Sequence, residues 1–366
     1  MFFIYQMGGG GAARTLLNII NNLDREKFTP LLVTLDFNGD YEEDLKEDVP
    51  LIKIKTKRLR KSIFPLGKLI RQEKADIVFS TIPNYNTIAI LANLFSFSKA
   101  KNIVREADNL GGSFAVNVKL IGYGLLYKLS SQIVSLSEGV KNNLVKRYKI
   151  KARDIKVIYN PVDLKSIQLK MDQETINLEH RKLFAGDEKV IITAGRLVKQ
   201  KDHETLLNAF AQVNQQVKSK LILLGEGPLK NTLMKQAEEL NIEQRVFFIG
   251  FQTNPYVYFE HADLFVLTSI HEGFCHVVAE ALATGTPVVS TDCESGPAEV
   301  LDNGKYGQLC RVGDQQEIAE KMVDVLSYDK QQLQKVVKAG CKRAAHFDAR
   351  SIVKEYEALF LATLNH

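Results

Sequence analysis

The sequence predicts an α/β chain of two parallel-sheet domains, and three observations predict it. Short apolar runs alternate with amphipathic stretches along nearly all of the 366 residues, the rhythm of strand–helix–strand units with helices on both faces of a parallel sheet. The rhythm breaks once, over residues 162–184, which are polar and weakly periodic, and then restarts. The length suits two domains, each able to bury its own core. The expectation is two Rossmann-like domains, residues 1–163 and 186–345, facing each other across a cleft. Ligands in such sheets bind at the carboxyl ends of the strands, so the cleft is where function is sought.

The elements follow in order. The first half offers strands at residues 2–6, 30–35, 51–55, 76–81, 102–107 and 132–137, with amphipathic stretches such as 14–23 and 86–95 between them. The second half offers strands at 190–194, 220–224, 245–249, 263–268, 287–291 and 307–311. Residues 347–364 read as a strongly amphipathic helix. No run of 18 or more apolar residues occurs, so no membrane span is expected, and no secretion signal is read at the start. The four cysteines show neither metal spacing nor a disulfide framework, which suits a reducing cytoplasm.

The net charge of +5 conceals an asymmetry: residues 1–160 hold 25 Lys+Arg against 15 Asp+Glu, or +10, and the remainder is −5. Lys53, Lys55, Lys57, Arg58, Arg60 and Lys61 form a basic run. Two readings stand. The lysines protect an edge strand, or, joined by Lys68, Arg71 and Lys74, they hold the domain on an anionic membrane surface at about 1 kcal/mol per basic residue. Residues 114–129 form an apolar helix that either packs in the core or dips into a membrane interface. Nucleic acid is disfavoured, because no aromatics interleave the basic run as stacking platforms.

Four stretches carry chemistry. The first strand runs into a glycine run, Gly8 to Gly11, before Arg14. Such a loop lets a backbone approach an anion, although the dinucleotide spacing is absent and a plain tight turn is equally consistent. At the end of the second domain's first strand, Arg196 offers a planar fork and Lys201 a point charge, both suited to diphosphate oxygens, although a solvated basic loop is equally consistent. The third strand there ends at Gly250, whose backbone would border a flat base. After an apolar run at 264–267 comes the longest stretch of interest, in which Glu272 and Glu280 stand with seven residues between them across a loop-to-helix junction. A helix rise of about 1.5 Å per residue puts Glu280 about 12 Å down-chain, the scale of a sugar–diphosphate–ribose unit. The helix start between them offers amides to an anion, and Gly285 closes the helix.

Taken as an ordered set, Gly195-Arg196-Leu197 with Lys201, Leu224-Gly225-Glu226-Gly227-Pro228, and Glu272-Gly273-Phe274 through Glu280 with Gly285-Thr286-Pro287-Val288-Val289 resemble glycosyltransferase family 4. Tyr159-Asn160-Pro161-Val162-Asp163 and the glycine-rich loop before Arg14 resemble it too, so the likeness runs nearly the whole length. It implies the GT-B fold and transfer from a nucleotide sugar, with UDP the expected nucleotide, with retention and without a bound metal or other cofactor. No Asp-x-Asp occurs in the chain. The resemblance implies that Glu272, Arg196 and Lys201 are catalytic, Glu272 meeting the donor sugar and the two cations neutralising the leaving diphosphate. It implies donor contacts from Phe274, Cys275, His276 and Val277 at the helix start, from Glu280 at the ribose, from Gly250, and from Gly9, Gly10, Gly11 and Arg14. It also implies that residues 346–366 cross back to the first domain, the alternative being an ordinary terminal helix of the second. One departure stands out: the histidine expected near the fifth strand's end is missing, and Glu106 and Asp108 are the candidates for a neighbouring role.

The expected function is hexosyl or N-acetylhexosaminyl transfer to a lipid-linked or cell-envelope glycan, by a cytoplasmic protein peripheral to the inner membrane face. A sugar-nucleotide epimerase of similar architecture and a non-catalytic nucleotide-sugar-binding subunit are the rivals.

Overall fold

A computed structural model describes residues 1–8 and 10–365. The chain divides into two compact units, one made of Met1–Val162 with the segment from Asp348 onward, the other of Asp163–Phe347.

The first unit contains β1 (Phe2–Phe3), α1 (Gly11–Asn22), β2 (Leu32–Leu35), β3 (Leu51–Ile54), α2 (Ile63–Gln72), β4 (Ile77–Thr81), α3 (Pro83–Ser96), β5 (Lys101–Glu106), α4 (Phe114–Tyr127), β6 (Gln132–Ser135), α5 (Glu138–Arg147) and β7 (Ile155–Val157). Its strands are parallel in the order β3-β2-β1-β4-β5-β6-β7. Strand side chains alternate between faces, and both faces are buried. Phe2, Leu32 and Phe79 enter one core with α1. Phe3, Val33 and Val78 enter the other with α2 and α3.

The second unit contains α6 (Leu164–Gln173), β8 (Lys189–Ala194), α7 (His203–Asn214), β9 (Ser219–Leu224), α8 (Lys230–Glu239), β10 (Val246–Gly250), α9 (Tyr256–Glu260), β11 (Leu264–Leu267), α10 (His276–Ala283), β12 (Val288–Thr291), α11 (Pro297–Val300), β13 (Gln308–Cys310), α12 (Gln315–Leu326) and α13 (Lys330–Ala344). Its sheet is parallel, in the order β10-β9-β8-β11-β12-β13. Aspartates start its helices: Asp163, Asp202, Asp314 and Asp329 each accept a backbone N–H two or three residues into α6, α7, α12 and α13.

The last helix, α14 (Ala349–Leu364), packs on the first unit. Ile352, Val353, Tyr356 and Phe360 join the Phe2 core, and the Phe360 ring lies 5.8 Å from that of Phe79. The tether is the fully buried Arg105, which donates a hydrogen bond to Asn160. Arg105 also donates to Thr81 (2.9 Å) and to the Tyr356 hydroxyl (3.2 Å).

All twelve expected strands exist, their ends displaced by up to three residues, most at β1, which stops at Phe3. Two readings are corrected. β7 has no counterpart among the expected strands, because three residues that include the exposed Lys156 carry too little apolar signal. The stretch 162–184 is not an irregular linker: it contains α6, whose periodicity is masked because Ile167 is its only buried side chain. Among the described residues no helix is long and apolar enough to cross a membrane.

Candidate active site

In the second sheet β8 and β11 are neighbours, while the chain leaves β8 toward β9 and leaves β11 toward β12. Connections diverging from adjacent strands open a crevice at their carboxyl ends. Two loops flank it: residues 195–202 after β8 and residues 268–275 after β11. They are stitched together. Ile270 N donates to the Gln200 carbonyl (2.8 Å), Gln200 Nε2 donates to the His271 carbonyl (2.9 Å), and Thr268 Oγ1 donates to the Lys201 and Asp202 carbonyls (3.0 and 2.9 Å). The turn after β9 presses on the first loop. A Cβ on Gly225, at φ +139°, would stand 2.0 Å from the Gly195 oxygen, so only glycine fits there.

This frame brings Glu272 onto Lys201. Lys201 Nζ donates to Glu272 Oε1 at 2.5 Å, with both side chains mostly buried. Ser269 Oγ donates to the same oxygen at 2.7 Å, and Ser295 Oγ donates to the Glu272 carbonyl. Burial works against the Lys201 charge, but attraction to Glu272 and their direct hydrogen bond outweigh it and hold the lysine pKa above its ordinary value. A buried Lys–Glu contact persists where the carboxylate lone pairs find further donors, as Ser269 provides. Arg196 is exposed, close enough to repel Lys201.

Beyond Glu272 the backbone enters α10. Cys275, the residue before the helix, sits at φ 69°, ψ 65°, a left-handed conformation that costs a non-glycine residue on the order of 1 kcal/mol. Its thiol is buried, and desolvation first, then the Glu272 charge, pushes its pKa well up, so it is no thiolate nucleophile. The amides of His276 and Val277 open the helix, where no intrahelical acceptor precedes them. Phe274 is buried against the Phe347 ring at 5.1 Å. Glu280 is the fifth residue of α10 and 2% exposed. Because α10 starts only at His276, the helical rise applies to residues 276–280 alone, and residues 272–275 before them are loop. Gly285 follows α10 at φ +81°, as the pattern required. Gly250 ends β10 at φ +75°, and its carbonyl accepts from Gly225 N (2.8 Å).

The first-unit candidates fare differently. Gly9 lies outside the described residues. Gly10 precedes α1 and Gly11 opens it. Arg14 donates through Nε and Nη2 to the Tyr41 hydroxyl (3.0 and 2.7 Å). Asp108 turns back to accept from Asn109 N (2.8 Å). Glu106 has no exposed surface, which corrects its expected place facing a ligand. Tyr127 donates to its Oε2 (2.9 Å) and the Ala107 amide reaches Oε1 (3.2 Å). Burial pushes its pKa up to about 8.

Sequence reasoning missed Ser269, Ser295 and Gln200, the residues that fix the Glu272 loop. A serine at a strand end carries no signal of the carboxylate it will meet three residues later. Among the described residues no group of three or more His, Cys, Asp or Glu side chains is arranged to hold a metal ion.

Comparison with known proteins agrees with this geometry. Residues 9–166 match the model of Glycosyltransferase Family 4, and residues 175–343 match that of glycosyl transferases group 1. A Campylobacter jejuni N-acetylgalactosamine-N,N'-diacetylbacillosaminyl-diphospho-undecaprenol 4-alpha-N-acetylgalactosaminyltransferase is 30% identical over 96% of each chain. A Bacillus anthracis N-acetyl-alpha-D-glucosaminyl L-malate synthase is 30% identical over 70% of this chain and 65% of its own. An Anabaena protein, HepE, solved in complex with UDP-glucose, superposes with a TM-score of 0.85 at 20% identity, covering 99% of this chain and 98% of its own; at that identity the likeness speaks for the fold alone. The chain belongs to glycosyltransferase family 4 and has its two-domain GT-B fold.

Proposed function

We propose that this glycosyltransferase takes a hexose or N-acetylhexosamine from a UDP-linked donor and transfers it, with retention, to a lipid-linked or cell-envelope glycan at the inner membrane face. The observation that carries the proposal is Glu272, fixed by Lys201 and Ser269 beside the start of α10. A carboxylate fixed in this way suits a neutral polyhydroxylated ligand, and the neighbouring cations and helix amides suit an anionic one. A sugar diphosphate is both. UDP is favoured because the Anabaena neighbour was solved with UDP-glucose. The lipid-linked acceptor is favoured because the Campylobacter relative's name specifies a diphospho-undecaprenol acceptor.

In the proposed reaction, Glu272 accepts hydrogen bonds from donor-sugar hydroxyls, and Glu280 serves the ribose. Lys201, Arg196 and the amides of His276 and Val277 stabilise the diphosphate as the bond from the anomeric carbon to its oxygen breaks. This preorganised charge stands in for a bound metal in the proposed reaction. The acceptor hydroxyl bonds to the anomeric carbon on the face that the diphosphate leaves, and its proton passes to the departing phosphate oxygen. No side-chain base is required, which fits a fifth strand ending in the buried Glu106 rather than a histidine. The basic run from Lys53 to Lys61 would keep the chain at an anionic bilayer, with the catalytic units on the cytoplasmic side.

The test is a turnover panel. Purified chain is given UDP-glucose, UDP-galactose and their N-acetylated forms, with and without a membrane lipid extract. Release of UDP only when the extract is present, with an α-linked product from an α-linked donor, is the expected result. Conversion of one UDP-sugar into another without extract would make the chain an epimerase. UDP binding without any turnover would make it a non-catalytic subunit.

A further inference from the structure

The helices on one side of the first sheet expose an apolar surface that nothing among the described residues covers. α4 is apolar nearly all round. Its inner stripe, Leu120, Gly124 and Tyr127, is buried, with Gly124 so close to the Tyr148 carbonyl that a Cβ would stand 1.9 Å from the oxygen. Its outer stripe, Phe114, Val118, Ile121 and Leu125, recurs at three- and four-residue spacing and is exposed, Phe114 by 85%. A helix apolar on nearly all faces is at home in a core or in lipid, and α4 has only half of a core around it.

α2 and α3 add a second apolar feature. They approach closely where Gly67 faces the Ala92 carbonyl, at 2.8 Å from a would-be Cβ. That approach lays Phe64 beside Phe95, ring centroids 5.3 Å apart, with Phe64 70% exposed. Phe97, in the left-handed conformation that ends α3, stands out by 85%. On a chain without tryptophan, three solvent-facing phenylalanines around one helix pair are a large uncovered surface.

The charge around these helices selects the partner. Residues 50–72, 77–105 and 109–137 contain no Asp or Glu. Lys61 just before α2, Lys68 and Arg71 on it, and Lys119 and Lys128 on and just after α4 are all exposed. Phe64, Lys68 and Arg71 share one face of α2, the ring a turn ahead of the cations. A second copy of the chain would meet this surface with the same unrelieved positive charge. Apolar side chains bordered mainly by cations, with Glu73 and Asp76 past the far end of α2, complement an anionic lipid leaflet, rings among the acyl chains and ammonium groups at the phosphates.

We propose that the α2–α3–α4 face docks on an anionic bilayer by inserting Phe64, Phe95, Phe97 and the outer stripe of α4 below the headgroups. The lipid-linked acceptor proposed above gives this docking its purpose, but the face itself stands on the first unit alone. Insertion also differs from electrostatic attachment by the basic run: attachment is lost in high salt, whereas buried rings are not screened.

The experiment uses the full chain and vesicles of phosphatidylglycerol mixed with phosphatidylcholine. Co-sedimentation at low salt that weakens but survives in molar salt is expected. Phe64→Ser, Phe95→Ser and Leu125→Ser each lower the partition coefficient, on the order of tenfold per side chain withdrawn from lipid. Because these positions are exposed, the variants keep the wild-type melting temperature and UDP affinity. Leu125→Trp supplies the only indole, and its emission shifts to the blue when vesicles are added. Wild-type chain that stays in the supernatant, serine variants that bind as wild type, an indole whose emission does not move, or a dimer that the serine variants dissolve would each overturn the proposal. Loss of UDP binding with vesicle binding intact would instead count against the proposed transferase reading.

Discussion

Two carboxylates near the carboxyl edges of the two sheets have opposite fates. Glu272, just past β11, meets an ammonium group and a hydroxyl, Lys201 and Ser269, and both bond the same carboxylate oxygen. Glu106, the last residue of β5, meets the phenol of Tyr127, itself held by Asn86 Nδ2 at 2.9 Å, with Tyr148 and Asp108 nearby. No cation faces it in that set, and burial pushes its pKa up to about 8, so it is a neutral acid through most of the physiological range. What separates them is the charge on the partner: one carboxylate faces the ammonium group of Lys201, and the other is a hydrogen-bonded strut tying β5 to α4 and, through Asn86, to α3.

The same substitution at each position tests this contrast most directly. Glu272→Gln keeps the volume and removes the charge proposed to orient the donor sugar. Turnover is expected to fall about 10²- to 10³-fold, as for loss of one preorganised polar contact to a transition state. UDP affinity stays within a few-fold, because Lys201 is released rather than removed. Turnover within a few-fold of wild type would remove Glu272 from the reaction and leave its ion pair with Lys201 a structural one.

Glu106→Gln should do the reverse. The folded pKa of about 8 lies above the ordinary value of 4.5. Below about pH 4.5 the folded and unfolded chains both carry the proton. Between there and about pH 8 the unfolded chain releases it while the folded chain keeps it, so stability falls as pH rises, and above that the loss is complete. A tenfold difference in proton affinity between the folded and unfolded chains is worth about 1.4 kcal/mol, so Gln, which never ionises, stabilises the chain by a few kcal/mol at alkaline pH. Urea unfolding at several pH values reads the effect as a flattened slope. A variant as pH-sensitive as the wild type would show that Glu106 is ionised in the folded chain. Turnover at neutral pH is expected to change less than threefold, on the order of 0.6 kcal/mol.

The asymmetry also explains what the sequence could reveal. The strand rhythm was legible because parallel strands buried on both faces, such as Leu264–Leu267, are apolar without interruption. The Glu272 loop was legible because its residues are contiguous and end in a helix closed by Gly285. Glu106 was misread because its environment is assembled from Asn86, Tyr127 and Tyr148, residues of three different helical segments that no local pattern connects. The exposed face of α4 was half legible: its apolar composition is plain in sequence, but which stripe turns outward depends on Gly124 meeting Tyr148 from the end of the following helix. Residues 162–184 misled for the opposite reason, since α6 presents a mostly polar surface and hides its helical period.

The smallest expected effect probes how Glu272 is held. Ser269 has no exposed surface, its carbonyl accepts from Thr291 Oγ1 (2.7 Å), and its hydroxyl donates to Glu272 Oε1. Ser269→Ala removes that one hydrogen bond and leaves Lys201 to hold the carboxylate alone. A neutral donor to a charged acceptor contributes about 1.5 kcal/mol, so kcat should fall about tenfold with KM nearly unchanged. A purely structural serine would lower the melting temperature without this selective effect. A serine that acts through Glu272 gives a different signature: in the Glu272→Gln background, Ser269→Ala costs nothing further, because the carboxylate it orients is gone. Additive losses in the double variant would mean that the hydroxyl works independently, and Lys201 alone would then hold the Glu272 carboxylate in place.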